Sequence, residues 1–288
     1  RGWYEMNKLN QFYKEHYNTL TKGEKKIAEY FVKNPKKVMM LSALELGKEI
    51  GVSDASILRF SKALGFQKFS DLKNYIASGF STITPNDRMV KNWDNFHSQN
   101  DIVNKIVNSD LENIKEFLLH IDFEQIETVV NWMSKAKKIY FLGIGSSRAI
   151  SQFMFWHMKR LGFNTECINE GGLGLYEAFS HITKKDIVML FSFPRFLNDE
   201  VKSITLAKEQ GAKIITVTSN SFSEISFLSD MVLETFVEND GFFNSYMVPM
   251  ELCNIMLTAI FEKNKESIFT ELKKNSLVKD FLFISEEE

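Results

Sequence analysis

Apolar residues recur at helical spacing through the first eighty positions, and the pattern shortens to strand-like runs after residue 137. Thr21-x-x-Glu24 has the form of a capping box, and Ile27, Ala28, Tyr30 and Phe31 follow on one helical face. Asn34-Pro35 is expected to stop that helix, because the residue before a proline is pushed out of the α region. Ser42-x-x-Glu45 is a second capping box, opening a short helix through Leu46 to Ile50. Gly51 punctuates it, Ser53 is placed to cap a helix over 54–64, and Gly65 ends that one. Ser70 is placed to cap a further helix through Leu72, Tyr75 and Ile76. The stretch 81–87 is polar and turn-rich and reads as a linker. Helical spacing returns at Ile102, Ile106, Val107, Leu111 and Ile114, and another helix is expected over 123–136.

Then the period changes. Residues 138–143, 186–192, 212–218 and 231–235 are short apolar runs, separated by helical stretches at 148–161 and 199–210, and 252–261 reads as a buried helix. Strands alternating with helices predict a parallel sheet covered on both faces. The fold class expected is therefore an all-α helix-turn-helix domain followed by an α/β domain with three layers, in the flavodoxin-like nucleotide-binding style. The expected boundaries are a helical domain at 1–80, a linker at 81–105 and the α/β domain at 106–288.

Length and composition agree with this division. The chain has 288 residues, 44% hydrophobic and 25% charged, enough for two folded domains. Residues 1–90 carry 15 Lys and Arg against 9 Asp and Glu, a charge of +6, while the remainder carries −8. A basic helical third on an acidic body suggests a module that binds an anion, nucleic acid first among them. Cys167 and Cys253 build no disulfide framework and fall in no metal-ligand spacing. No apolar run approaches the ~20 residues that span a bilayer. A cytoplasmic protein with no membrane partner, no metal and no cofactor is expected. Met6 is a candidate start, which would make the first five residues extra, and the acidic tail 286–288 is expected to fray.

Residues 43–62 fit a twenty-residue helix-turn-helix. Gly47 is small where the two helices cross, and Gly51 tolerates the positive φ of the turn. Leu46, Ile50, Val52, Ile57 and Phe60 then face inward, and the second helix presents Ser53, Asp54, Ser56, Arg59 and Lys62. Short polar side chains and arginine at such a helix start can reach base edges in the major groove of double-stranded operator DNA. Lys48 and Lys68, with Lys22, Lys25, Lys26, Lys36 and Lys37, are available for phosphates. The bland alternative is a small helical bundle with solvated lysines, in which Asp54 only complements the helix dipole.

Three segments make the reading specific. They are the run from Leu20-Thr-Lys-Gly-Glu to Asn34-Pro35, then Gly51-Val-Ser-Asp-Ala-Ser-Ile-Leu-Arg-Phe60, then Phe69-Ser-Asp-Leu-Lys73. Over about residues 18–80 they resemble the N-terminal domain of RpiR-type bacterial transcription regulators. That family also carries a C-terminal sugar-isomerase-type (SIS) domain, which the rest of the chain resembles. One departure is Gly47, where the family usually has alanine; both are small, so the packing is expected to survive.

Gly143-Ile-Gly-Ser-Ser147 follows a strand and opens a helix, the setting of an anion cradle built from backbone N–H groups and a helix dipole. A dinucleotide fingerprint requires glycine at position 148, where Arg148 stands, so NAD(P) is rejected. The SIS resemblance implies that Ser146 and Ser147 bond a sugar phosphate, with Gly143 and Gly145 shaping the loop. The family's second loop, Ser-x-Ser-Gly-x-Thr, is here Ser192-Phe-Pro-Arg-Phe-Leu197. Ser192 is retained, but Pro194, Arg195 and Leu197 replace three family residues. Arg195 either compensates by a charge-assisted phosphate contact or is a surface arginine beside a degenerate pocket. Thr218-Ser-Asn-Ser221 lies at the same sheet edge. Ser245 falls in a segment resembling the family's last pocket helix, with Tyr246 where arginine is common.

The function expected is a sequence-specific DNA-binding regulator of sugar or amino-sugar metabolism, a repressor by the family's usual habit. Its SIS domain would bind a phosphorylated sugar effector and join the chain to itself as a dimer or tetramer. Two rivals stand beside it. One is a sugar-phosphate isomerase with an appended helical domain, which needs a base such as Glu170, Glu177, His181 or Glu251, none in a spacing that assigns a role. The other is a regulator whose SIS domain only oligomerises. His157, at helical spacing with Phe153 and Leu161, reads as a packed residue, and no spacing suggests catalysis or metal binding.

Overall fold

Two of the N-terminal helices begin where a hydroxyl residue precedes a glutamate by three. The structure, a computed structural model, describes residues 21–64, 66–79, 89–90, 98–194, 196–221 and 223–276. Thr21 Oγ1 accepts from the Glu24 N–H at 3.3 Å, and the Glu24 carboxylate accepts from the Thr21 N–H at 2.9 Å. This starts α1 (Lys22–Lys33). Ser42 and Glu45 repeat the exchange at 3.3 and 2.7 Å to start α3 (Ala43–Ile50). Each box satisfies two of the donors that a helix start leaves orphaned. The bond from the Ser42 N–H is the chief reason that the Glu45 carboxyl titrates below its ordinary range. Pro35 ends α1 as expected, yet it also starts the short α2 (Pro35–Met40), because a proline at the first helical position gives up an N–H that would be unpaired anyway.

The helices α4 (Asp54–Ala63) and α5 (Phe69–Gly79) complete the set. Ser70 does not cap α5; it stands in the first turn, and the Asp71 carboxylate accepts from the Lys68 N–H at 2.9 Å instead. Ile27, Phe31, Leu46, Ile57, Phe60 and Leu72 are buried together, with Phe31 edge-on to Phe60 at 5.9 Å between ring centres. Gly65, the segment 80–88 and the tail 277–288 lie outside the described residues.

The turn between α3 and α4 is tighter than the sequence suggests. Gly51 sits at φ 78°, ψ 39°, and the N–H groups of Gly51 and Val52 both donate to the Gly47 carbonyl at 2.9 Å. The chain therefore folds back over Gly47. A Cβ there would stand 2.7 Å from Val52 O and 3.2 Å from Asp54 N. The alanine usual in the family does not fit this turn without a backbone shift, whereas Gly47 does.

The helix α6 (Gln99–His120) is capped by Ser98, whose Oγ accepts from the Asp101 N–H at 3.2 Å, so residues 99–105, expected as part of a linker, are helical. Next come α7 (Phe123–Lys135), β1 (Ile139–Leu142), a 3-10 turn at Gly145–Ser147 and α8 (Arg148–Arg160). They are followed by β2 (Thr165–Ile168), α9 (Leu173–Phe179), β3 (Ile187–Phe191), α10 (Asn198–Glu209) and β4 (Lys213–Thr218). The chain then forms α11 (Glu224–Leu228), β5 (Met231–Glu234), α12 (Met247–Lys263) and α13 (Lys265–Ser276). The strand order is β2-β1-β3-β4-β5, all parallel, with Leu142 opposite both Ile168 and Leu190. Alternate strand residues feed the two faces. Phe141, Met189 and Val217 join α7, α8 and α12 in one core, while Tyr140 meets Phe179 of α9 edge-on at 5.7 Å. The result is a three-layer α/β unit. The described residues divide into two compact units, the first holding the chain up to Thr82 with Asn220–Phe227, the second the remainder.

Gly47→Ala should destabilise the helical unit by about 1–3 kcal/mol, the usual range for a forced close contact. Denaturant unfolding followed by circular dichroism checks it; an unchanged midpoint would show that the turn yields freely.

Candidate functional site

The outer face of α4 starts from its cap. Ser53 Oγ accepts from the Ser56 N–H at 3.2 Å and lies 2.8 Å from Ser56 Oγ. Arg59, one turn on, donates from Nη2 to Ser56 Oγ at 3.1 Å. The guanidinium is thus held against the first turn while the residue stays exposed. Asp54, Arg59 and Lys62 are exposed with Ser53, Ser56 is half-buried, and Ile57 and Phe60 point inward. Lys48 and Lys68 are exposed as well. Other lysines are engaged. Lys37 Nζ lies 2.9 Å from the Glu49 carboxylate, which also accepts from the Tyr30 hydroxyl, and Lys73 donates to Leu41 O at 3.1 Å. Glu49 titrates below its usual range, first because of the Tyr30 hydroxyl and then because of Lys37. Asp54 Oδ1 accepts from the Ala55 N–H at 2.8 Å, the local role open to an acid at a helix start.

In the α/β unit, β1 and β3 are neighbours from which the chain departs to opposite sides of the sheet, the switch point where open α/β sheets hold ligands. A cavity of about 260 Å³ lies there. Ile144 to Ser147 line it after β1; Ser192, Phe193, Pro194, Leu197 and Glu200 line it after β3; Asn244 and Tyr246 come from the approach to α12. The first loop needs its glycines. A Cβ at Gly143 would stand 2.7 Å from both Ser147 O and Ser151 Oγ, and Gly145 has φ +65°. Gly143 is not among the residues that line the cavity. No side chain caps the Gly145–Ser147 turn or the start of α8, while the first N–H of α12, that of Met247, is met by Ser245 Oγ at 3.4 Å. Ser147 and Tyr246, the residues that precede α8 and α12, both line the cavity.

The start of α10 is different. Glu200 is 4% exposed, and its Oε2 accepts from the Leu197 N–H at 3.0 Å and from Ser192 Oγ at 2.9 Å. Burial raises its carboxyl above the ordinary range, with the two hydrogen bonds opposing that shift. Across the cavity, Tyr246 packs on Phe193 at 5.4 Å between rings, and its hydroxyl lies 2.7 Å from Ser146 Oγ.

Of the residues read from the sequence, Gly145, Ser146, Ser147 and Ser192 meet in this cavity. Ser245 does not join them: its N–H donates to Val237 O at 2.8 Å and its Oγ accepts from the Met247 N–H at 3.4 Å, so its two neighbours line the wall instead. Thr218 ends β4 and Ser219 to Ser221 follow it, none of them in the lining, and Arg195 lies outside the described residues. Glu170, Glu177, His181 and Glu251 are exposed and none lines the cavity. The sequence reading passed over Glu200. Its signal was present: a glutamate three residues into a helix reaches back to the N–H before it. Among the described residues no helix is long and apolar enough to cross a membrane, and no cluster of three or more His, Cys, Asp or Glu could hold a metal.

Residues 6–83 match the helix-turn-helix domain of the rpiR family, and residues 133–259 match the SIS domain. An HTH-type transcriptional regulator of Clostridium perfringens is 28% identical over 265 residues, covering 90% of this chain and 94% of the relative. The sugar isomerase domain of an RpiR transcription factor from Sphaerobacter thermophilus aligns with a TM-score of 0.58 and 25% identity, over 59% of this chain and 96% of that domain. The Vibrio vulnificus NanR protein complexed with ManNAc-6P aligns with a TM-score of 0.58 over 96% of this chain and all of that one; at 17% identity it shares the fold alone.

The raised Glu200 carboxyl has a consequence for stability. An acid that binds its proton more tightly when folded favours folding below its folded pKa, and this contribution fades as pH rises from the ordinary carboxylate range through that value. Glu200→Gln keeps an oxygen for Leu197 and Ser192 but carries no buried charge. Relative to the variant, the wild type should therefore lose stability as pH rises from 4 to 8, read as the difference between the two melting temperatures. A constant difference would refute the burial of a titrating group.

Proposed function

Since the chain belongs to the RpiR-type transcriptional regulators, a helix-turn-helix domain followed by a SIS domain, we propose that it represses genes of sugar or amino-sugar metabolism and is controlled by a phosphorylated sugar. The observation that carries the first half is α4: its inner side is core, while Ser53, Asp54, Arg59 and Lys62 stand exposed at and beyond its capped start. That is the arrangement a recognition helix needs to enter the major groove. Lys48 and Lys68 supply phosphate contacts, which make binding salt-dependent. The second half rests on the cavity beyond β1 and β3, lined by the residue before the uncapped start of α8 and by three serines. NanR, which shares the fold, was solved with ManNAc-6P, a ligand of the same chemical class.

Control works by linkage. The effector favours one arrangement of an oligomer over another, and only one arrangement spaces the recognition helices for neighbouring major grooves. Val103, Val107, Leu111 and Leu118 of α6 leave an apolar stripe exposed, which supports self-association. The isomerase reading is weaker, because the four candidate bases named from the sequence stand outside the cavity. Glu200 is the carboxylate within it, and its capping bonds already engage Oε2.

Arg59→Ala should weaken operator binding by about 1–3 kcal/mol if Arg59 reads a base. Fluorescence anisotropy against the operator and a scrambled duplex checks this; equal loss on both would reduce Arg59 to a phosphate contact. Ser147→Ala should weaken the response to phosphorylated sugars while leaving the ligand-free affinity for DNA as it was. An effector titration of the protein–operator complex that is unchanged by Ser147→Ala removes the cradle from the site.

A further inference from the structure

Three helix starts face the cavity at the switch point, and they are not equivalent. That of α8 has no side-chain cap, and that of α12 has only a neutral hydroxyl, Ser245 Oγ, against its first N–H. That of α10 is already occupied by an anion of the protein's own, the Glu200 carboxylate, whose two hydrogen bonds both fall on Oε2. Glu200 is buried, lines the cavity and has no ion pair among the described residues. The acid beside it, Asp199, turns away: its carboxylate accepts from the Gly172 N–H at 2.9 Å and from the Tyr176 hydroxyl at 3.4 Å. Among the described residues the remaining polar wall is neutral, formed by Ser146, Ser147, Ser192, Asn244 and Tyr246. The described lining thus combines the hydroxyl and backbone groups of the first loop with one buried carboxylate in a single cavity.

We propose that Glu200 is a specificity-determining residue that restricts this pocket to phosphorylated carbohydrates presenting hydroxyl or ammonium donors toward Oε1, and excludes bare dianions. The inference rests on the sugar-phosphate reading above and adds an orientation to it. The phosphate lies at the Gly145–Ser147 turn beside the starts of α8 and α12. The carbohydrate end lies at Glu200, where each donor replaces a water that the carboxylate would otherwise keep. A small dianion cannot satisfy both ends. It meets the donors of the turn but faces the carboxylate with nothing to offer it. Discrimination of this kind comes as much from repulsion of the wrong ligand as from attraction of the right one.

Sulfate separates the outcomes, since it stays a dianion across neutral pH and carries no donor. Full-length wild type, Glu200→Gln and Ser147→Ala are titrated with sodium sulfate at constant ionic strength, and in parallel with glucosamine 6-phosphate, by thermal shift and calorimetry. The expected result is weak sulfate binding by the wild type and about tenfold tighter binding by Glu200→Gln, the scale of removing one nearby like charge. The preference for glucosamine 6-phosphate over sulfate should shrink by a similar factor. Glu200→Thr, which also removes the charge and keeps a hydroxyl, is the second variant should the first fail to fold. Equal sulfate affinity in wild type and both variants, lost in Ser147→Ala, overturns the role of Glu200 while leaving the anion cradle intact. No sulfate and no sugar-phosphate binding in any form overturns the cradle, and this inference with it. A wild type that prefers sulfate to glucosamine 6-phosphate contradicts the proposed polarity directly.

Discussion

A parallel sheet imposes one constraint from which the rest of the α/β unit follows. Each crossover leaves a strand at its carboxyl end and enters a helix there, so helix N-termini gather along one edge. Here that edge receives the starts of α8 and α10 from adjacent strands, and the chain brings the start of α12 to the same place. Each start carries N–H groups without an intrahelical partner and the positive end of a dipole. Gly143 and Gly145 let the first loop curl close enough for its backbone to take part. The edge attracts anions before any side chain is considered. What the side chains decide is which anion, and where.

The helical unit is governed by a different constraint, the sharpness of one turn. Two N–H groups converge on the Gly47 carbonyl, and the chain folds back across Gly47 so closely that no Cβ has room. The turn fixes the direction of α4. Ile57 and Phe60 then reach the core around Phe31, and Arg59 is left outside with its guanidinium steadied by Ser56. Loss of freedom in Arg59 before binding is useful, because an ordered side chain gives up less entropy when it meets a base or phosphate.

Much of this was legible in the sequence because the signals were local. The two capping boxes, Gly51, the apolar runs of β1, β3, β4 and β5, and the glycine loop before α8 all state their structure within a few residues. What was missed had weak local signal. The strand β2 is Thr165-Glu-Cys-Ile168, an edge strand with three half-buried positions, so it lacks the continuous apolar run of its neighbours. The helix α9 opens beside Gly171 and Gly172, which read as a loop. Ser245 was placed in the pocket by resemblance, but its neighbours Asn244 and Tyr246 are the ones that line it. Glu200 carries no family signal in a loop whose expected serine, glycine and threonine are replaced by Pro194, Arg195 and Leu197. A carboxylate three positions beyond Leu197 caps the helix and, by the same geometry, enters the cavity.

Magnitudes decide what that carboxylate does. A helix terminus attracts an anion by about 0.3–1 kcal/mol, and by up to ~2 kcal/mol where partly buried. Two unit charges about 4 Å apart interact by roughly 4 kcal/mol at an effective dielectric near 20, so a like charge within reach outweighs a terminus. An anionic group entering the cavity is therefore driven away from the start of α10, although that start has the same backbone polarity as the other two. The starts of α8 and α12 remain, and there the serine hydroxyls and backbone donors meet it unopposed. The same carboxylate that repels the phosphate accepts hydrogen bonds from whatever follows it. Burial makes that exchange sharper than it would be in water, since an unpaired buried acceptor is costly to leave. On the proposed reading, a single residue therefore orients the ligand end to end, by placing one negative charge against the donors of the first loop.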